Sequence, residues 1–329
     1  MAAAFDVVGV GNAIVDVLAP VTDAFLLEQA IPKGAMNLIE EDRADQLTGL
    51  FQNSRVIPGG SGANTLAGVA SLGGRGGYIG KVGADDLGAL FTRDFNAGGV
   101  VFDTPAHAGG PGTARCLIAV TPDGQRSMST FLGCSTLLDE RDLDRDRLAS
   151  AAIVFLEGYL FDREEAKRAF VHAAEIAAAN GRKTALTLSD LFCVHRHRES
   201  FRQLVKHHTD ILFANEAEIM ALYEVETFEE AVAAVRAECE TVALTRSEKG
   251  SVVMRGGEIV SVSAAPVGQV IDTTGAGDLY AAGFLYGLAT GRELAACGAL
   301  GSLAAAEVIS HWGPRPEVSL AALAAERGL

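Results

Sequence analysis

At 329 residues, 49% of them apolar, the chain can bury one large core and carry a small appended flap. A formal net charge of −15 argues against a general nucleic-acid binder, whose surface must be basic to neutralise phosphates, so an anionic ligand has to be small and met by local donors. Five scattered cysteines, Cys116, Cys134, Cys193, Cys239 and Cys297, are odd in number and include no C-x-x-C pair, which speaks against a disulfide framework or a zinc site and for free thiols in a reducing cytosol.

The N-terminus, MAAAFDVVGVGN, lacks a basic leader and its apolar run is broken by Asp6, so it does not read as a signal peptide. Phe5–Val10 reads as a first strand. Gly9-Val-Gly11-Asn-Ala-Ile14 then begins like a dinucleotide fingerprint, but Ile14 stands where the third glycine belongs and no clean helix follows. Residues 11–40 and 101–131 carry β-branched residues with turn punctuation, and Thr121-Pro122-Asp123-Gly124 separates two strand-like runs as a hairpin would. These two segments predict a small β-rich lid over a ligand.

Further apolar runs follow at Ala151–Leu156, Thr184–Leu188, Asp210–Phe213, Thr241–Thr245 and Ser251–Met254. Helical stretches such as Arg163–Asn180 and Glu216–Tyr223 lie between them. Strands apolar on both faces, alternating with helices, predict an α/β fold with a mostly parallel sheet covered on both sides. No stretch is apolar enough to span a bilayer: the richest, AACGALGSLAAAEVI, holds a glutamate and suits a tightly packed helix. The run His195-Arg-His197 with His207-His208 is irregularly spaced among basic residues and reads as solvated surface rather than a metal site.

The stretch Asp272-Thr-Thr-Gly-Ala-Gly-Asp278 follows a β-like run, Gly268–Ile271, and opens a small-residue helix, LYAAGFLYGLAT. Gly275, Ala276 and Gly277 let a ligand approach the main chain where helix N–H groups converge, a natural place for phosphate. Taken alone, Asp278 favours an ordinary first-turn carboxylate.

In context the pattern D-T-T-G-A-G-D-x-x-x-A-G-F-L resembles the C-terminal signature of the ribokinase-like (PfkB) carbohydrate and nucleoside kinases. Gly59-Gly-Ser-Gly-Ala-Asn64-Thr, with Val69-Ala-x-Leu-Gly-Gly and Gly80-Lys-Val-Gly-x-Asp-x-x-Gly88, resembles the N-terminal signature, and Asn215-Glu-Ala-Glu218 resembles the N-x-x-E motif. The resemblance covers essentially the whole chain. It implies a ribokinase-like fold and transfer of the ATP γ-phosphoryl group, with Asp278 as base and the amides of Gly275, Ala276 and Gly277 as an anion hole. A helix N-terminus is expected to lower the pKa of Asp278.

The same resemblance implies Mg2+ near Asn215 and Glu218, often through water, and a nucleotide loop of which only Thr245 and Gly250 match, since Ser247 replaces a glycine. It places the monovalent cation of many members, such as K+, near Asp272, Thr274 and the segment Ser310–Gly313. Gly11-Asn12-x-x-x-Asp16 resembles the stretch that sets an aspartate on vicinal ribose hydroxyls, with Gly59, Gly60 and Asn64 adding contacts.

Several segments are most similar to the adenosine-kinase branch: Thr209–Glu218, Leu188-Ser-Asp-x-Phe192, and Gly124-Gln-Arg-Ser127, where that branch carries a phosphate-reaching arginine, here Arg126. Gly62-Ala63 reads more like the sugar kinases, while Ser61 departs from the lysine usual in ribokinase. Tyr159, Phe192, Ile14 and Met36 are candidates to line a base pocket, each equally readable as core. The expectation is a cytoplasmic enzyme, monomer or homodimer, that phosphorylates the 5′-hydroxyl of adenosine and has neither nucleic-acid nor membrane partners. A ribokinase- or fructokinase-type sugar kinase and a non-catalytic ligand-binding regulator are the alternatives.

Overall fold

Apolar runs spaced along the chain become fourteen strands in the computed structural model, which describes residues 3–329. In chain order they are β1 (Phe5–Val10), β2 (Ile14–Pro20), β3 (Met36–Leu38), β4 (Arg55–Gly59), β5 (Gly76–Ile79), β6 (Val100–Val101), β7 (Ala114–Val120), β8 (Arg126–Phe131), β9 (Ala151–Glu157), β10 (Lys183–Thr187), β11 (Ile211–Asn215), β12 (Thr241–Thr245), β13 (Ser251–Arg255) and β14 (Glu258–Val262). Nine form a sheet ordered β14-β13-β12-β11-β10-β9-β1-β5-β6. It is parallel from β12 to β6 and closes at its other edge with the antiparallel hairpin β13–β14.

The period of two along β1 shows why the strands are apolar on both sides. Val7 points into a core shared with the helices Ser61–Ser71, Ala276–Ala289 and Leu294–Val308, while Val8 and Val10 enter a second core beneath Glu164–Ala179, Leu191–His208 and Glu216–Tyr223. Helices therefore cover both faces, as expected. Among the described residues no helix is long and apolar enough to cross a membrane.

A second sheet of five strands has the order β3-β8-β7-β2-β4. The β7–β8 hairpin turns at Thr121–Gly124 as its sequence indicates. Four of the five strands lie in the two segments expected to be β-rich; β4 lies outside them, its Pro58-Gly59-Gly60 ending having the composition of a loop. Val101 pairs in the larger sheet instead. The β-like run Gly268–Ile271 forms no strand: the Ile271 N–H donates to the Ile309 carbonyl at the end of a helix, so no neighbouring strand is available to it. Gly9 and Gly11 do not open a dinucleotide-binding helix, because β1 leads directly to β2.

Ser61–Ser71 and Ala276–Ala289 press closely together at Gly68. A Cβ there would lie 2.6 Å from the Ala282 Cβ and 2.6 Å from Leu279 Cδ1. Overpacking this contact forces the two helices apart at a typical cost of about 1–3 kcal/mol. Gly68→Val is expected to shift the urea midpoint down without changing the m-value; an unchanged midpoint would show that the helix pair tolerates separation.

Candidate active site

Two glycine-rich stretches far apart in sequence meet at a single carboxylate. Asp278 lies in the first turn of Ala276–Ala289, where Ser61 Oγ donates to Oδ1 at 2.6 Å and Asn64 Nδ2 donates to Oδ2 at 3.0 Å. Both donors come from the start of Ser61–Ser71, so two helix N-termini face one another across Asp278. Gly275 caps its helix with φ +80 and lies under Pro314, whose carbonyl would be 2.8 Å from an added Cβ. Gly277 faces open space. The amides of Gly275 and Gly277 have no partner among the described residues, whereas the Ala276 N–H donates to the Thr273 carbonyl at 3.2 Å. That turn takes one of the three amides expected to form the anion hole.

Asn12 and Asp16 approach from the other side. Asp16, buried on β2, lays its carboxylate directly against Gly59, where any side chain would overlap it. A Cβ on Gly60 would come within 2.5 Å of the Asn12 carbonyl. Asn12 Nδ2 donates to Glu157 Oε1 at 3.0 Å, the Gly62 N–H donates to Glu157 Oε2 at 2.7 Å, and Tyr78 Oη donates to the Asn12 carbonyl at 3.0 Å. Glu157 thus clamps the β1–β2 connection to the glycine stretch, leaving the buried Asn12 Oδ1 as an acceptor with no partner among the described residues. Ser61, Tyr78, Glu157 and Arg315 were not singled out from the sequence as site residues. Each acts through a partner far along the chain, and only the Ser61 position carried a signal, as a departure from a family pattern.

Arg126, at the start of β8, reaches the loop before the anion hole. Its Nη1 donates to Thr274 Oγ1 at 2.8 Å, its Nη2 lies 2.7 Å from Asp272 Oδ2, and its guanidinium sits over the Trp312 ring at 5.2 Å. Asp272 Oδ1 also accepts from the Thr274 N–H and Oγ1, and Oδ2 from the Gly313 N–H. The side chains expected beside a monovalent cation are therefore committed to a guanidinium and to the turn itself.

Asn215 and Glu218 form a reciprocal cap at the end of β11. Asn215 Nδ2 donates to Glu218 Oε1 at 2.6 Å, and the Asn215 N–H donates to Oε2 at 3.0 Å. Each carboxylate oxygen keeps a further lone pair, so this hard-oxygen pair fits a hydrated magnesium ion held through water. Glu216 instead pairs with Arg246 at 2.7 Å. Thr245 ends β12, and Gly250 turns the chain back so closely that a side chain would strike the Val262 carbonyl. Ser247 has φ +51, so it holds the left-handed conformation for which the family pattern carries glycine. Of the proposed base-pocket residues, Met36 and Phe192 are exposed, Ile14 is half-buried on β2, and Tyr159 Oη donates to the Ser189 carbonyl at 3.3 Å.

Comparison with known proteins shows the family and the fold. The family model described as pfkB family carbohydrate kinase matches residues 34–319. The structure of adenosine kinase from Sinorhizobium meliloti is 52% identical with a TM-score of 0.91, covering 98% of this chain and 99% of that one. A probable sugar kinase from Rhizobium etli is 46% identical with a TM-score of 0.92, covering 99% of each chain. Adenosine kinase from Saccharomyces cerevisiae is 25% identical over 92% of this chain and 94% of its own length.

Electrostatically the site gathers buried carboxylates, and two arginines act on one of them, Asp16. Burial raises Asp278 above the ordinary carboxylate range, with the bonds from Ser61 and Asn64 pulling the other way, so desolvation outweighs the lowering expected from the helix N-terminus. Asp16 is pushed up to about 7 by burial, against the pull of Arg315 and Arg126 and with the push of Asp278. Burial likewise pushes Glu157 and Glu218 up to about 7, against hydrogen bonds from Gly62 and Asn12 and from Asn215 respectively. In the unfolded chain carboxylates titrate near 4, roughly. The folded protein therefore holds protons that the unfolded chain releases as pH climbs from about 4 to about 7, and stability falls through that window. The ligand-free protein is expected to show a lower Tm at about pH 8 than at about pH 5.5, with Glu157→Gln reducing the drop. A Tm that rises over this range would contradict the protonated, buried carboxylates.

Proposed function

The chain belongs to the pfkB family of carbohydrate kinases and is a phosphotransferase, and we propose that it transfers the γ-phosphoryl group of ATP to the 5′-hydroxyl of adenosine. The observation that carries this reading is Asp278, held by Ser61 and Asn64 at a helix N-terminus. The 52% identity to an adenosine kinase supports the choice of nucleoside.

Phosphoryl transfer has a loose transition state, so the protein's task is positioning and neutralisation of charge on the transferred group. Asp16 accepts hydrogen bonds from the two ribose hydroxyls, Asn12 and Asn64 add polar contacts, and the bare Gly59 and Gly60 leave room for the sugar. This directs the 5′-hydroxyl at Asp278, which accepts its proton as the bond to phosphorus forms. A carboxylate with a raised pKa is a better proton acceptor than a helix-stabilised one, and its place at the hydroxyl makes it effective. The amides of Gly275 and Gly277 meet the γ-phosphoryl oxygens, joined by Ala276 if its turn opens, and strengthen as charge develops there.

Arg126, now engaged with Asp272 and Thr274, brings a cation from the smaller sheet to the phosphates, and that sheet serves as a lid. Thr245 and Gly250 border the nucleotide. Magnesium, held through water at Asn215 and Glu218, would supply charge neutralisation of the ATP phosphates. A free sugar such as ribose or fructose is the competing acceptor, favoured by the 46% identity to a probable sugar kinase.

The reading is tested by ATP consumption with magnesium over adenosine, other nucleosides, ribose, fructose and no acceptor. Adenosine is expected to give the highest kcat/KM; turnover with a free sugar alone would move the acceptor to the competing reading. Asp278→Asn is expected to keep ATP binding and lower kcat by about 100- to 10,000-fold. Near-normal turnover in that variant would remove the base assignment. Asp16→Ala is expected to raise KM for the acceptor by about 10- to 100-fold with a smaller effect on kcat, and an unchanged KM would remove the ribose contact.

A further inference from the structure

One carboxylate oxygen gathers both ends of the loop that follows the helix Leu294–Val308. Glu307, buried in the last turn of that helix, accepts at Oε1 from His311 Nε2 at 3.1 Å, from the Glu317 N–H at 3.0 Å and from the Val318 N–H at 3.3 Å. On its other side His311 faces Glu317, whose Oε1 lies 4.0 Å from Nδ1. The chain on either side of residues 312–316 is thereby drawn together at a single point.

The loop so closed has no main-chain bonding of its own. Among the described residues no main-chain N–H of residues 311–318 donates to a main-chain carbonyl, and Pro314 and Pro316 have no N–H to give. Its tip nevertheless meets the site at four successive residues. Trp312 lies 5.2 Å from the Arg126 guanidinium, the Gly313 N–H donates to Asp272 Oδ2 at 3.0 Å, Pro314 covers Gly275, and Arg315 Nε donates to Asn64 Oδ1 at 3.4 Å. The main chain of the loop is thus fixed by two side-chain acceptors, Asp272 at the tip and Glu307 at the base, and bonds to a carboxylate are stronger than bonds to a neutral acceptor.

We propose that Glu307 is a positioning residue for phosphoryl transfer: by closing the base of the 311–318 loop it keeps Trp312, Gly313, Pro314 and Arg315 against Arg126, Asp272, Gly275 and Asn64, and so sets the anion-hole amides in place relative to Asp278. The inference rests on the reading given above, in which Gly275 and Gly277 meet the transferred group. Glu307 acts through the loop and not by contact with the reacting atoms. Catalysis of this transfer is mostly positioning, so a displacement of the glycine stretch by about 1 Å costs up to about 100-fold in rate.

The test measures kcat and KM with the acceptor that gives the highest kcat/KM in the panel above, for wild type, Glu307→Ala, Glu307→Gln, His311→Ala and Gly277→Val. Thermal melts fix a temperature at which each protein is folded. Trp312 is the single tryptophan of the chain, so acrylamide quenching of its emission reports on the loop itself. Glu307→Ala is expected to lower kcat about 10- to 100-fold and to raise the quenching constant. Glu307→Gln keeps an acceptor oxygen for the Glu317 and Val318 N–H groups and is expected to recover most of both. His311→Ala removes one of the three bonds, with an expected loss in kcat of about 3- to 10-fold, and carries the test should Glu307→Ala not fold. In Gly277→Val the added side chain enters open space at the anion hole, and kcat is expected to fall with the quenching unchanged.

A wild-type kcat in folded Glu307→Ala or in His311→Ala, beside an impaired Gly277→Val, would overturn the role of Glu307 and leave the anion hole standing. A lowered kcat with unchanged quenching would overturn it too, because the effect would not then pass through the loop. Undiminished kcat in Gly277→Val would overturn the anion-hole reading, and the role of Glu307 with it.

Discussion

The carboxylate at the centre of the site is held by two hydrogen bonds. Ser61 Oγ and Asn64 Nδ2 reach Asp278 across separations of 217 and 214 positions in the chain, so the bonds exist only if two helices far apart in sequence start side by side. The parallel sheet makes that possible. β1, β9, β11 and β12 run in the same direction, and their carboxyl ends deliver Asn12, Glu157, Asn215 and Thr245 to one edge, the edge where ligands bind in open α/β sheets. The close approach at Gly68 then brings Ser61–Ser71 and Ala276–Ala289 near enough for short side chains to span the gap.

That geometry creates an electrostatic problem that the rest of the structure addresses. Asp16, Glu157 and Asp278 are neighbours in a chain of net charge −15, and burial raises all three above the ordinary carboxylate range. Neither arginine that pulls against the raised Asp16 belongs to the strands and helices carrying the carboxylates. Arg126 comes from the smaller sheet and Arg315 from the loop after Leu294–Val308.

How much of this was legible in the sequence depends on how local each determinant is. Phe5–Val10 and Thr241–Thr245 were readable to the residue because unbroken apolar runs bounded by turns carry their own signal. Asp278 had no distinguishing local signal, reading alone as a first-turn carboxylate, and it stood out only because its stretch occurs with two others that resemble the family signatures. β4 was obscured by its Pro58-Gly59 ending, although that glycine is bare because the Asp16 carboxylate lies on it. The run Gly268–Ile271 has strand-like residues but no strand to pair with. The helix N-terminus predicted a lowered Asp278; the site's enclosure, which depends on segments hundreds of residues away, reversed the sign. Glu157, Tyr78 and Arg315 had no local signature, since their significance lies wholly in what they touch.

Ser247 shows how a pattern can change while the physics beneath it persists. The family pattern carries glycine there, and Ser247 at φ +51 holds the left-handed region that glycine enters most easily, at a conformational cost the surrounding loop has to bear. The reverse holds at Ala276, whose residue type matches the anion-hole pattern while its N–H is already bonded to Thr273. Residue identity thus reports on a site only through the conformation and partners it implies. On the reading proposed above, the glycine stretch at 275–277 would meet the transferred phosphoryl group, while discrimination of the acceptor would fall to side chains brought in from separate segments.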